Sequence, residues 1–168
     1  MCGIIGITSS KPVSSAIINS LRKLEYRGYD SAGLATLSGG IINEVKSEGR
    51  VENLEKNIAI KNMQGSVGIG HVRWATHGIP NTVNAHPHSS NNVSIVHNGI
   101  IENSTILKKF LISKGHKFKS QTDTEVIVHL ITEYLKKNDL KNSIIKMLNQ
   151  LHGSFALGII FKDQPDLI

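Results

Sequence analysis

The chain has 168 residues, 39% of them hydrophobic and 19% charged, the balance of a globular domain able to bury a real core. Its single cysteine excludes a disulfide framework and any cysteine-rich zinc site, and no apolar run approaches the ~20 residues that a membrane-spanning helix needs. The formal charge of +6 invites a nucleic-acid reading, but the lysines from Lys108 to Lys146 are scattered over the polar sides of expected helices with few aromatics between them. A solvated surface is the better account, so neither nucleic acid nor membrane is an expected partner.

In chain order, Ile4, Ile5 and Ile7 form an apolar run that reads as a buried strand holding the N-terminus rigidly. Ser9-Ser10-Lys11-Pro12 reads as a helix start, with Val13, Ala16, Ile17, Leu21 and Leu24 at helical spacing and a stop near Arg27-Gly28. Segments 31–37 and 41–46 flank Ser38-Gly39-Gly40 as a hairpin, and a short helix over 51–57 turns Val51, Leu54 and Ile58 inward. A strand over 68–74 then runs into loop chemistry from Ala75 to Asn92, long enough to suggest a functional loop. A short strand, 93–97, ends at the turn signal Asn98-Gly99. A helix over 103–113 closes at Gly115, and Thr122-Asp123-Thr124-Glu125 fits a capping box ahead of the stripe Val126, Ile127, Leu130, Ile131 and Tyr134. Asp139 caps a further helix, and 154–161 is a last strand. The absence of a repeat or a linker predicts one domain.

The chemistry gathers around Met1-Cys2-Gly3. Removal of Met1 would leave one residue bearing both a thiol and a free α-amine, with ordinary pKa values of about 8.5 and about 7.7–8.0. Nucleophile and general base would then come in the same residue. Elsewhere, Arg73 at a strand end offers a fork for a carboxylate, and Asn98-Gly99 offers an amide side chain beside a backbone N–H that could hold a developing oxyanion. Asp123 could receive an ammonium, although helix capping is its ordinary role. His71 and His97 read as core histidines, and His86-Pro87-His88 lacks the partner carboxylates of a metal site, so no metal is expected. A carboxylate, an ammonium and a carbonyl open to attack together describe a free amino acid with a side-chain amide.

Six blocks carry a resemblance: residues 2–6 (Cys-Gly-Ile-Ile-Gly), 24–33 (Leu-Glu-Tyr-Arg-Gly-Tyr-Asp-Ser-Ala-Gly), 70–78 (Gly-His-Val-Arg-Trp-Ala-Thr-His-Gly), 84–88 (Asn-Ala-His-Pro-His), 96–103 (Val-His-Asn-Gly-Ile-Ile-Glu-Asn) and 122–126 (Thr-Asp-Thr-Glu-Val). In this order they resemble the class II glutamine amidotransferases, members of the N-terminal-nucleophile hydrolases, and among these the branch serving aminosugar synthesis. The resemblance implies an α+β fold, a four-layer αββα sandwich, in which Cys2 attacks the side-chain amide of L-glutamine while Asn98 and Gly99 form the oxyanion hole. It implies that Arg73 and His77 hold the substrate carboxylate and Asp123 its ammonium, that Thr76 and Trp74 line the pocket, and that Trp74 gates ammonia passage. It implies no cofactor, a cytoplasmic enzyme and a homodimer in the full-length protein. The family's glutaminase domain is longer, and sugar-phosphate isomerase domains follow it to convert fructose 6-phosphate to glucosamine 6-phosphate. Residues 1–168 are therefore expected to be an incomplete glutaminase domain without those isomerase domains. The competing expectation is a non-catalytic remnant that binds glutamine or a partner protein.

Overall fold

The computed structural model describes residues 2–61, 63–75, 78–90, 92–165 and 167–168, the side chains of 58–61 excepted. The chain order is β1 (Gly3–Thr8), α1 (Ser14–Leu24), a 3-10 turn (Glu25–Arg27), β2 (Ser31–Ser38), β3 (Ile41–Glu48), α2 (Val51–Lys61), β4 (Val67–Arg73), β5 (His88–Ser89), β6 (Val93–Ile101), α3 (Ser104–Ser113), α4 (Thr124–Leu135), α5 (Leu140–Leu148) and β7 (Gly153–Phe161). The strands form two antiparallel sheets, β1-β4-β2-β3 and β5-β6-β7.

Three apolar clusters fill the spaces between four layers. Because side chains alternate along a strand, β2 sends Ala32 and Leu34 toward Ile17 and Leu21 of α1 and Val51 and Leu54 of α2. Its Ala35 and Leu37, with Val67 and Ile69 of β4, pack instead on Val96 and Ile160 of the second sheet. The far face of that sheet, through Val93, Ile95 and Phe161, meets Leu107, Leu111, Ile127, Leu130, Ile131 and Met147 of the remaining helices. This is the αββα sandwich expected from the sequence.

Local expectations fared unevenly. The hairpin turn at Gly39-Gly40 takes positive φ at both residues, the twist that suits a two-residue connection. Gly115 closes α3, and Asp139 caps α5 by accepting from Asn142 N at 2.8 Å. Four corrections follow. β1 is an edge strand and only partly buried. α1 starts at Ser14 without a side-chain cap, because Ser9 Oγ accepts from Lys11 N in a preceding turn. Asn98-Gly99 is no turn but lies inside β6, paired with Ala156 and Phe155 of β7, which extends a strand that looked finished at His97. The capping box does not form: Glu125 accepts from Lys119 N, Ser120 N and Ser120 Oγ, drawn to the loop before the helix rather than to Thr122. The side chain of Ile58 lies outside the described residues.

A polar seam crosses this apolar frame. His71, His86, His88 and His97 are all buried, bonded to one another and to Thr122 and Thr124, with the His86–Pro87 peptide in the cis form. Burial holds His71 and His88 down to about 3 and lowers His86 and His97 as well, so all four stay neutral in the fold. Unfolded histidine titrates near 6.5, so below that pH the unfolded chain binds protons that the folded chain refuses. Stability is therefore full above about pH 6.5 and is lost as pH falls from there, down toward 3 for His71 and His88, by up to about 1.4 kcal/mol per pH unit for each of these two, with His86 and His97 acting in the same direction. Burial alone would raise the Glu125 carboxyl, but hydrogen bonds from His129, Lys119 and Ser120 outweigh it and hold it at about 2, which adds its own loss only below about pH 4.5. Urea midpoints measured from pH 7.5 to 5 should decline steadily below pH 6.5; a midpoint flat to pH 5 contradicts this account.

Candidate active site

The position of Cys2 follows from strand register. Gly3 pairs with Val72, so residue 2 lies beside the end of β4, where the chain leaves the sheet. The Cys2 thiol there accepts from Trp74 N–H at 3.3 Å and lies 3.5 Å from Trp74 O. Two donors converge on the Cys2 carbonyl: Arg27 Nε at 3.0 Å and Asn98 Nδ2 at 2.9 Å. Arg27 comes from the turn after α1 and Asn98 from the opposite sheet, so residue 2 is held by both halves of the sandwich.

Two glycines make this approach possible. A Cβ on Gly28 would lie 2.6 Å from the Arg73 carbonyl and 2.7 Å from Trp74 N, so any side chain would push the 3-10 turn off the end of β4. Gly99 has φ of 123°, where L side chains are rarely found, and its Cβ would lie 2.1 Å from Ser154 O.

A cavity of about 450 Å³ opens here, lined by Cys2, Arg27, Trp74, Asn98, Gly99 and Ile100 with residues 154–156 of β7. That is ample for an amino acid, within the usual range of ligand pockets. Trp74 is half-exposed and meets the Tyr29 ring edge-on at a centroid separation of 5.9 Å.

Of the residues expected at the site, Cys2, Asn98, Gly99 and Trp74 come together around this cavity. Arg73 does not line it: the side chain is buried and donates to Gly78 O and Ile79 O at 3.3 and 3.4 Å, bracing the loop that follows. Asp123 stands behind the site at the head of α4, where its Oδ2 accepts from Ile101 N at 2.8 Å and ties the helix to β6. It caps no helix N–H with its side chain. Thr76, His77 and Met1 lie outside the described residues. No group of three or more metal-ligating side chains occurs among the described residues, and His86 and His88 give their Nε2 atoms to Thr124 and Thr122.

Sequence reasoning missed Arg27 and Asp30. Arg27 was read only as the end of a helix, although the glycine after it marked a close backbone approach. Asp30 accepts from Ala75 N–H and Ser31 Oγ, and its own N–H donates to Arg73 O at 3.2 Å, pinning the junction at which β4 becomes the loop.

Chemically, this is a thiol at the edge of an amino-acid-sized hollow with amide donors on the facing wall. Comparison with known proteins gives the arrangement a family. A profile of the glutamine amidotransferase domain matches residues 71–168. The glutamine–fructose-6-phosphate aminotransferase (isomerizing) of Clostridium acetobutylicum is 51% identical over the whole chain, and that of Thermococcus kodakarensis is 49% identical over 99% of it. The chain spans about 28% of the length of these relatives. Among solved structures, the Bacillus subtilis glutamine phosphoribosylpyrophosphate amidotransferase complexed with ADP and GMP superposes with a TM-score of 0.82 at 29% identity, over 96% of this chain and 35% of its own. No helix among the described residues is long and apolar enough to cross a membrane. With Cys2 facing an Asn-Gly pair across two packed sheets, and with these relatives, the chain belongs to the glutamine amidotransferase domain family.

Proposed function

We propose that the chain hydrolyses L-glutamine to glutamate and ammonia. The observation that carries this reading is the meeting of the Cys2 thiol with the Asn98 side chain at one cavity, from opposite sheets. After removal of Met1, the free α-amine takes the thiol proton, and the sulfur attacks the side-chain amide carbon of glutamine. The carbonyl oxygen becomes an oxyanion. One N–H of the Asn98 amide is committed to Cys2 O, which leaves the other for this oxygen. Gly99 N–H is the second donor. Ile101 gives its N–H to Asp123 and Glu102 gives its N–H to His152 O, so ladder alternation directs the Gly99 N–H to the same edge as that of Ile101, away from β7.

Collapse of the tetrahedral adduct breaks the C–N bond. The amine's proton passes to the leaving nitrogen, and ammonia departs from a thioester. Water, deprotonated by the same amine, then splits the thioester to glutamate and the free thiol. Arg73 and His77 would take the substrate carboxylate, Asp123 its ammonium, and Thr76 and Trp74 the walls. Since Arg73 now braces residues 78 and 79, binding a carboxylate there requires it to exchange loop carbonyls for substrate.

In a longer protein of the kind these relatives represent, residues 1–168 would belong to the glutaminase domain. Its ammonia would pass Trp74 to a sugar-phosphate isomerase region and convert fructose 6-phosphate to glucosamine 6-phosphate, in a cytoplasmic homodimer.

Cys2→Ala should abolish glutamine hydrolysis, and a glutamine analogue bearing an electrophile at the amide position should label Cys2 alone in intact-mass analysis. Activity that survives Cys2→Ala, or a label elsewhere, sinks the assignment; glutamine binding without turnover in the wild-type chain would point to a non-catalytic glutamine-binding module. Asn98→Ala should lower kcat by about 10²–10³, the usual effect of losing one oxyanion donor, with a smaller change in KM. A chain that retains Met1 should be inactive, and equal turnover with Met1 in place would refute the α-amine as base.

A further inference from the structure

The chemistry above leaves unused the ring nitrogens of the histidines buried beneath the site. Their partners fix where each proton sits. The His97 backbone carbonyl can only accept, so the His71 Nε2 lying 3.1 Å from it carries a proton. That N–H is shared with His86 Nδ1 at 2.8 Å, which therefore presents its lone pair. A neutral His86 then holds its proton on Nε2 and donates it to Thr124 Oγ1 at 2.8 Å. The one hydrogen of the Thr124 hydroxyl goes to His97 Nδ1 at 2.9 Å. Asp123 Oδ1, at 3.9 Å from the same nitrogen, is too far for a hydrogen bond. His97 is left with its proton on Nε2, an atom with no hydrogen-bond partner among the described residues. Burial lowers the pKa of all three rings and keeps them neutral at physiological pH, as this assignment requires.

We propose that this directed chain of hydrogen bonds, from His71 through His86 and Thr124 to His97, positions Asn98 and Gly99 for the reaction, with Thr124 as its central positioning residue. It rests on the reading of Asn98 and Gly99 as oxyanion donors. The mechanical argument is that His97 is gripped at two points: its carbonyl by β4 through His71, and its ring by α4 through Thr124. The gripped carbonyl belongs to the peptide plane that joins His97 to Asn98. Rotating that plane would swing the Asn98 side chain away from Cys2 O, where it now sits at 2.9 Å. Thr124 accepts from one ring and donates to the next through a single oxygen, so one substitution there breaks both bonds. Valine has the same shape and can do neither, while serine can do both.

The test has two arms on the 168-residue chain. The first needs no substrate: long-range ¹H–¹⁵N NMR of the histidine rings at pH 7.5 should show His71, His86 and His97 each protonated at Nε2 and bare at Nδ1. A proton on Nδ1 of any of the three overturns the proposal. The side-chain amide signals of Asn98 and the Gly99 N–H should also move in Thr124→Val and return in Thr124→Ser; signals that stay put overturn it equally. The second arm is steady-state glutamine hydrolysis. Thr124→Val should lower kcat by about 30-fold or more with KM within about threefold, the signature of misplaced transition-state donors, while Thr124→Ser stays within about threefold of wild type. Unchanged kcat in the valine variant, or a serine variant no better than valine, refutes the positioning role. If Thr124→Val does not fold, the wild-type tautomers and the serine variant decide: serine below a tenth of wild-type kcat overturns the proposal. A wild-type chain that turns over no glutamine counts against the glutaminase reading alone, because the NMR arm still judges the hydrogen-bond chain.

Discussion

The site depends on how closely two sheets pack. Cys2 directly precedes the edge strand of one sheet and Asn98 lies in the central strand of the other, and a hydrogen bond of 2.9 Å joins them. That distance is set by the apolar layer between the sheets, where Ile69 of β4 lies against Val96 and Ile160 and where Ile4 adds its partly buried side chain. Interiors pack at the density of organic crystals, so a layer of this kind transmits position rather than absorbing it. The thiol is thus placed by residues that do not line the cavity, and the glycines at 28 and 99 remove the side chains that would hold the backbone apart.

Beside that layer the protein tolerates a polar seam of four buried histidines, which costs stability in acid. A buried ring nitrogen without a partner is expensive, and among the described residues His71 Nδ1 and His97 Nε2 are left without one while the facing nitrogens of the seam are paired. Here the pairing joins β4 through His71, the long loop through His86, β5 through His88, β6 through His97, and the head of α4 through Thr124 with Thr122 just before it. An apolar seam would glue the same elements together but would allow them to slide. Directional bonds fix their register, and register is what brings residues 97–99 opposite residue 2.

The parts of this architecture readable from the sequence were those governed by local rules. The hairpin of 31–37 and 41–46 around paired glycines at 39–40, and the apolar stripe from Val126 to Ile131, each speak through nearest neighbours. The errors came where a distant partner decided. Asn98-Gly99 carries the composition of a turn, yet β7, more than fifty residues later, claims it for a strand. Glu125 has the spacing of a capping box, but backbone N–H groups at 119 and 120 sit closer and bind it first. The gathering of Cys2, Trp74, Asn98 and Gly99 was legible through family resemblance, whereas the anchoring of Cys2 by Arg27 and of Ala75 by Asp30 was not, since a single arginine or aspartate in a turn carries no periodic signature.

The contacts of the Cys2 thiol decide how the sulfur responds to losing its proton. A thiol can both accept from Trp74 N–H and donate to Trp74 O, and at 3.3 and 3.5 Å the Cys2 sulfur is placed to do both. A thiolate keeps the first contact and loses the second, because a carbonyl oxygen repels it. Proton loss therefore leaves the sulfur anchored by Trp74 N–H alone, released from the carbonyl and free to turn toward the cavity with its facing amide donors. The same peptide that receives the resting thiol sits at the point where β4 ends and the loop begins, pinned by Asp30 on one side and by the Arg73 side chain beyond it. Any change that draws the Arg73 side chain away from residues 78 and 79 therefore acts on the segment that carries Trp74, and so on the surroundings of the sulfur.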